Sequence, residues 1–108
     1  MKRGSIYLIN LPESGGHEQH GARPAIIVSD PVANIIVCIP CTSNPEATRF
    51  PHTLLVEPSK QNGLSNTTVA LIFQIRAIDR NRLMSKLGQL ENQYMKVVSK
   101  SINKLLGS

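Results

Sequence analysis

The strongest constraint on the fold is a change in the spacing of apolar residues close to residue 90. Before this point, short apolar runs of strand length alternate with polar segments rich in glycine and proline. These runs cover residues 5–11, 25–29, 34–39, 52–56, 67–73 and 83–90. After it, apolar residues recur at helical spacing as far as Leu105. The pattern predicts a mainly β (α+β) chain, a strongly bent sheet or small barrel with one C-terminal amphipathic helix packed on it.

Two runs, residues 25–29 and 34–39, are almost continuously apolar, which is typical of strands buried on both faces. Residues 12–21 and 40–51 are polar, and we expect them to form long loops of the kind that often carry function. Asn62-Gly63 is a turn signal, and a short helical turn is expected near residues 79–82. In the final helix we expect about four turns, with Lys96, Lys100 and Lys104 on a solvated face.

The length and composition narrow the class of protein. A chain of 108 residues can bury one self-sufficient core, so we expect a single domain over residues 1–108. With 41% hydrophobic and 18% charged residues, a disordered chain is excluded. No apolar run approaches the ~20 residues that a membrane helix needs. We therefore expect a cytoplasmic protein with no membrane partner.

The charge favours anionic partners. Twelve Lys and Arg against seven Asp and Glu give a net charge of +5, which suits nucleic acid, an acidic protein segment or an anionic surface. Aromatic residues make up only 4% of the chain. We therefore expect contacts with nucleic acid to run through Arg, Lys and hydroxyl groups rather than through a platform of stacked rings.

A C-x-x-C at Cys38 and Cys41 and an H-x-x-H at His17 and His20 together offer four zinc ligands. Strand alternation argues against this site, because it turns Cys38 and Cys41 to opposite faces. A redox C-x-x-C usually opens a helix, whereas a polar loop is expected after Cys41. The favoured interpretation is a buried small hydrophobe at Cys38, a free thiol at Cys41, and neither metal nor cofactor.

Two of the polar segments hold side chains that can act together. If residues 25–29 and 34–39 form a hairpin, the start of one strand lies beside the end of the other, and Arg23 becomes a neighbour of Thr42. A guanidinium beside the hydroxyls of Thr42 and Ser43 can form a binding site for a phosphate. From spacing alone, a solvated arginine before Pro24 is an equally good interpretation of Arg23.

Four blocks of the sequence resemble the MazF/PemK family of toxins. They are residues 3–7 (R-G-S-I-Y), 16–24 (G-H-E-Q-H-G-A-R-P), 38–43 (C-I-P-C-T-S) and 74–79 (Q-I-R-A-I-D), in the family's order over nearly the whole chain. The pattern G-x-E-Q-x-G-x-R-P is the most specific of them. The resemblance implies an SH3-like β-barrel with a C-terminal helix, of the type shared by CcdB and PemK, and a homodimer.

The same resemblance implies a metal-independent endoribonuclease that cleaves single-stranded RNA, including mRNA, at short sequences. In this reaction a ribose 2′-OH attacks the adjacent phosphate and leaves a 2′,3′-cyclic phosphate and a 5′-OH. It also implies a cognate antitoxin whose acidic, disordered tail covers the RNA-binding surface.

The resemblance assigns roles residue by residue. Arg23 and Thr42 match the family's catalytic arginine and threonine. An arginine stays protonated, so its defensible role is to stabilise charge on the phosphoryl oxygens. His17 matches a histidine that either transfers protons or only contacts RNA. The matches expected to contact RNA are Glu18, Gln19, Ser43 and Gln74, although the block around Gln74, Arg76 and Asp79 also has a structural interpretation.

The sequence departs from the family at one acid–base pair. The PemK branch carries an arginine and an aspartate where this chain has Leu71 and Phe73. This departure keeps two alternatives open. One is a gyrase poison like CcdB, which shares the fold but lacks the G-x-E-Q-x-G-x-R-P block. The other is a catalytically degenerate module that still binds its antitoxin.

Overall fold

The computed structural model describes residues 2–12, 16 and 21–107. These residues form seven β-strands, three 3-10 turns and one α-helix. The strands are β1 (Ser5–Leu11), β2 (Gly21–Ile27), β3 (Ile35–Thr42), β4 (Thr53–Val56), β5 (Thr68–Leu71), β6 (Arg76–Asp79) and β7 (Leu83–Gln89). The 3-10 turns cover Pro45–Arg49, Ile72–Gln74 and Arg80–Arg82, and the helix α1 spans Asn92–Leu105.

The antiparallel sheet is organised around β3. Its strand order is β4-β5-β3-β2-β1-β7, and β6 pairs with β3 outside this path. Cys38 pairs with Ile27 of β2 and with Arg76 of β6, so β2 and β6 lie on opposite edges of β3. Farther along, β3 pairs with β5 through Cys41 and Thr42. Because β3 exchanges one neighbour for another along a single edge, the sheet bends, and the predicted small barrel-like fold is confirmed.

Alternate residues of β2 and β3 enter two separate cores. The first core receives Ile26, Ile39 and Cys41, and the second receives Ala25, Ile27, Ile36 and Cys38. Burial of these strands on both faces, which their continuous apolar character predicted, is confirmed. Cys38 and Cys41 also face opposite sides, as the alternation argument required.

The predicted C-terminal helix is confirmed over its four turns. Val98 is fully buried, and Tyr94 and Ile102 pack against the first core. Lys96, Lys100 and Lys104 are exposed on the other side of α1. Among the described residues, no helix has both the length and the apolar character needed to span a membrane.

Several expected strand boundaries are wrong. The second strand begins at Gly21, so Arg23 and Pro24 lie within β2, because pairing with β1 continues through Leu8↔Pro24 as far as Gly21. Residues 40–42, expected in a loop, belong to β3, because pairing with β5 extends that strand to Thr42.

Later in the chain, the expected strand over 67–73 stops at Leu71, where the chain enters the 3-10 turn Ile72–Gln74. Strand β6 was not predicted. The short helical turn near residues 79–82 is confirmed as Arg80–Arg82, and the Asp79 carboxylate caps it by accepting from the Asn81 amide at 2.8 Å.

The segment between β4 and β5 is held by the fully buried side chain of Asn62. Its Oδ1 accepts hydrogen bonds from the amides of Ser59 (2.9 Å) and Leu64 (3.1 Å). Its Nδ2 donates to the carbonyl of Glu57 (2.9 Å) and the carboxylate of Glu91 (3.2 Å). One amide side chain thus satisfies backbone groups that regular secondary structure would otherwise pair.

Two glycines allow this segment to lie directly against β7. A side chain at Gly63, whose φ is +70°, would clash with the Leu87 carbonyl oxygen, and one at Gly88 would clash with the Gln61 carbonyl oxygen. The Gln61 carbonyl accepts the Gln89 amide at 2.9 Å. Residues 61–63 are therefore held against β7.

We expect Asn62→Ala to lower the free energy of unfolding by about 2 kcal/mol or more, because it leaves several buried backbone groups without partners. The measurement is chemical denaturation followed by circular dichroism. Asn81→Ala, which removes an exposed asparagine side chain, is the matched control and should change stability by less than about 0.5 kcal/mol. Equal midpoints for the two variants would contradict the role of Asn62.

Candidate functional site

Arg23 and Thr42 line one pocket of about 280 Å³, where β2 begins and β3 ends. The two strands pair at Ala25↔Pro40. Arg23 and Thr42 each lie two residues beyond this pair, so alternation turns both to the same face of the sheet. The structure thus brings together the two residues that the hairpin argument made neighbours, and Ser43 joins them in the pocket wall.

The pocket combines one positive charge with several hydroxyl groups. Arg23 is the one charged side chain among the described residues that line it, and it is half-buried. The hydroxyls belong to Thr42, Ser43, Ser65 and Thr68. A partly buried guanidinium acts in a lower dielectric than a fully solvated one, so its attraction for an anion is stronger. This composition suits a singly charged phosphodiester.

The Thr42 side chain is held in place at the end of β3. It is only 7% exposed, and its Oγ1 accepts a hydrogen bond from the Asn44 amide at 3.2 Å. Since a hydroxyl can accept and donate at once, its own hydrogen remains able to donate to a ligand. The Thr42 oxygen is therefore held in position in the wall of the Arg23 pocket.

The opposite wall comes from a segment that the sequence analysis missed. Gly63, Leu64, Ser65 and Asn66 line the pocket, and the Asn62 network holds them there. The turn signal at Asn62-Gly63 and the polar residues after it indicate a loop. Nothing in the sequence, however, places that loop beside β2 and β3.

A second cavity of about 560 Å³ adjoins the first, and Thr42 lines both. Gln74, in the 3-10 turn after β5, lies in this second cavity and not in the Arg23 pocket. Arg49, Phe50 and Phe73 share the cavity with it. The sequence analysis gave no role to Arg49 or Phe50. Both lie in the polar segment after Thr42, which was expected to form a functional loop.

Three predicted site residues, His17, Glu18 and Gln19, lie outside the described residues, as does His20. The two positions of the missing acid–base pair are described. Leu71 is buried in a small core with Ala47 and Val69, whereas the Phe73 ring is partly exposed in the second cavity.

Both cysteine thiols are buried and free. Burial raises the pKa of Cys38 to about 12, an effect that the nearby Arg76 guanidinium partly opposes. Burial also raises the pKa of Cys41 to about 12, and its Sγ donates to the Ile39 carbonyl at 3.7 Å. A thiol that keeps its proton is a poor nucleophile and a poor metal ligand.

The C-x-x-C is thus a pair of small core residues, and Cys41 is as buried as Cys38. Within the described part of the chain, no group of three or more His, Cys, Asp or Glu side chains is arranged to hold a metal ion.

We expect the protein to lose stability as the pH rises from 9 to 12. The folded state keeps both thiol protons up to about pH 12, whereas the unfolded chain releases them near the ordinary value of 9.0. In this window the unfolded state binds fewer protons, so a rising pH favours it and the free energy of unfolding falls. Urea denaturation at several pH values measures the slope. A Cys38→Ala/Cys41→Ala variant should show a shallower decline; identical slopes would contradict the thiol contribution.

Comparison with known proteins identifies relatives over almost the entire chain. Residues 2–106 match the family described as PemK-like, MazF-like toxin of type II toxin-antitoxin system. The endoribonuclease MazF of Staphylococcus saprophyticus is 34% identical over 111 aligned positions, which cover 99% of this chain and 92% of that protein.

Solved structures of MazF proteins have the same fold. MazF from Deinococcus radiodurans superimposes with a TM-score of 0.83 and 26% identity, over 100% of this chain and 97% of that one. A MazE-MazF structure from the same organism gives a TM-score of 0.76 and 26% identity, over 99% and 96% of the two chains. The Arg23–Thr42 pocket, the barrel-like sheet and these matches agree, and the chain belongs to the PemK-like, MazF-like toxins of type II toxin–antitoxin systems.

Proposed function

We propose that this chain is the toxin of a type II toxin–antitoxin system and acts as an endoribonuclease on single-stranded RNA. The observation that carries the proposal is the pocket in which one half-buried guanidinium, Arg23, lies beside the oriented hydroxyl of Thr42. The family match and the relative named endoribonuclease MazF support it.

The proposed reaction is an internal transfer at one phosphodiester. The ribose 2′-oxygen forms a bond to phosphorus and loses its proton, while the bond from phosphorus to the 5′-oxygen breaks and that oxygen takes up a proton. The products are a 2′,3′-cyclic phosphate and a free 5′-OH. Arg23 stabilises the negative charge that grows on the non-bridging oxygens, and Thr42 donates a hydrogen bond to the same phosphate. We propose that the reaction needs no metal ion and that Arg23 supplies positive charge at the phosphate.

The remaining predicted residues complete the proposal. His17 is the candidate for proton transfer, because an imidazole can both accept and donate near neutral pH. Glu18, Gln19, Ser43 and Gln74 are proposed RNA contacts. Of these, Ser43 lies in the Arg23 pocket and Gln74 in the adjoining cavity.

The proposed protein partners are a second copy of this chain and a cognate antitoxin with an acidic, disordered tail. The net charge of +5 favours association with such a tail. The MazE-MazF structure from Deinococcus radiodurans supports a protein partner for a chain of this fold.

We expect Arg23→Ala to reduce cleavage of a long single-stranded RNA by roughly 100-fold or more, the usual loss when an oxyanion-stabilising group is removed. The assay is run in EDTA with purified protein. Labelling the fragments with polynucleotide kinase detects their 5′-OH ends. Arg80→Ala is the matched control, since Arg80 is exposed and lines neither the Arg23 pocket nor the second cavity.

The other outcomes separate the alternatives. Intact RNA together with inhibited gyrase would identify a poison of the CcdB type. No effect on either target, with antitoxin binding retained, would identify a degenerate toxin. Cleavage that stops in EDTA would contradict the metal-independent mechanism and favour a zinc site formed by His17, His20 and the cysteines.

A further inference from the structure

We propose that the second cavity is a base-binding subsite that takes one unstacked nucleobase carrying an exocyclic amino group. This inference rests on the proposed RNA-cleaving function. It concerns the nucleotide attached to the phosphate at Arg23 and Thr42. The cavity is lined by Phe50, Phe73, Arg49, Glu46 and Gln74, together with Thr42.

Two partly exposed phenylalanine rings lie close together in the cavity. Phe50 is 43% exposed and Phe73 is 36% exposed, and their ring centroids are 5.6 Å apart with an angle of 49° between the planes. Large apolar side chains are usually buried, so exposed rings that converge on one cavity indicate a ligand with an apolar, planar face. A nucleobase has such a face, and stacking on an aromatic ring is a principal way in which proteins hold single-stranded RNA.

Arg49 adds a planar cation to the same cavity. Its guanidinium carbon lies 4.9 Å from the centroid of the Phe50 ring. This cation–π contact holds the guanidinium beside the Phe50 ring. An arginine held in this way can stack on a base, as the aromatic rings do.

The charges of the two cavities differ in a way that suits the two parts of a nucleotide. Among the described residues that line the first pocket, Arg23 carries the one charge. The second carries one acid and one base, Glu46 and Arg49, among its described lining residues. A phosphate in the second cavity would meet the Glu46 carboxylate, whereas a neutral base would not be repelled. The exocyclic amine of adenine, cytosine or guanine can donate to that carboxylate, and uracil has no such group.

The connection between the cavities also fits one nucleotide. Thr42 is the one described residue that lines both of them. A phosphate bound by Arg23 and Thr42 therefore has its own nucleoside within reach of the second cavity. The low aromatic content of the chain predicted no platform for successive bases, and that expectation does not apply to a single base held where two rings meet.

The base subsite can be tested by ¹⁹F NMR, because Phe50 and Phe73 are the only two phenylalanines in the sequence. Protein labelled with 4-fluorophenylalanine gives two ¹⁹F resonances, and both report on this cavity. The probe is a random-sequence 2′-O-methyl RNA oligonucleotide, which lacks the attacking hydroxyl and cannot be cleaved. We expect both resonances to move with this probe and to stay unchanged with an abasic oligonucleotide of the same length.

Substitutions in the cavity test the subsite by two measurements, the affinity for the probe and the identity of the base next to the cut, which is read by mapping the cleaved ends. Phe73→Ala and Phe50→Ala should each weaken binding of the probe roughly tenfold. Glu46→Ala, which removes the acceptor, should remove the preference for amino-bearing bases at one position next to the cut. Leu55→Ala is the matched control, since Leu55 is as exposed as Phe50 (43%) but lines neither cavity.

Each outcome decides the proposal. Resonances that do not move with the RNA probe, or that move equally with the abasic probe, would overturn the base subsite even if the protein cleaves RNA. Resonances that respond only to a Glu-rich peptide would overturn it in favour of an antitoxin site. Specific movement by the RNA probe in a protein that cleaves no RNA would support the subsite and refute the nuclease.

Discussion

The structure depends on the way in which β3 is shared between strands. Over residues 35–38 its edge opposite β2 pairs with β6, and at Cys41 and Thr42 the same edge pairs with β5. Pro40, which has no amide hydrogen to donate, lies between the two paired stretches. Since β3 is also buried on both faces, its register cannot shift by one residue without exchanging the contents of the two cores. The bend in the sheet and the position of Thr42 are consequences of this one strand.

The candidate site lies where that strand ends. Thr42 is the last residue of β3 and Arg23 lies near the start of β2, so the site is built on strands and not on a free loop. A side chain on a strand within a paired sheet has little freedom, which is what a group that must meet a developing charge requires. The one wall supplied by a loop is fixed by the buried hydrogen bonds of Asn62. Hydrogen bonds within the protein thus position Thr42 and Leu64 in the pocket.

The predictable features were those carried by local pattern. The bounds of β1 match the expected residues 5–11, and α1 and β7 end close to where their periodicity ends. A simple hairpin argument predicted that Arg23 and Thr42 are neighbours, and both residues line one pocket. The predicted start of β2 and the predicted end of β3 were wrong, because pairing with β1 extends β2 and pairing with β5 extends β3 beyond their apolar runs. Strand β6 and the wall at residues 63–66 depend on contacts between distant parts of the chain, which a local pattern does not encode.

The departure at Leu71 and Phe73 has a structural meaning. Leu71 is buried beside Ala47 and Val69, so an arginine there would bury an unpaired charge in an apolar core. Phe73 stands in place of the acid, and it lines the second cavity and not the Arg23 pocket. Among the described residues that line the Arg23 pocket, no side chain is a strong base that could take the proton of a 2′-OH. In the proposed reaction, Arg23 and Thr42 therefore stabilise charge on the phosphate, and proton transfer is left to solvent or to His17.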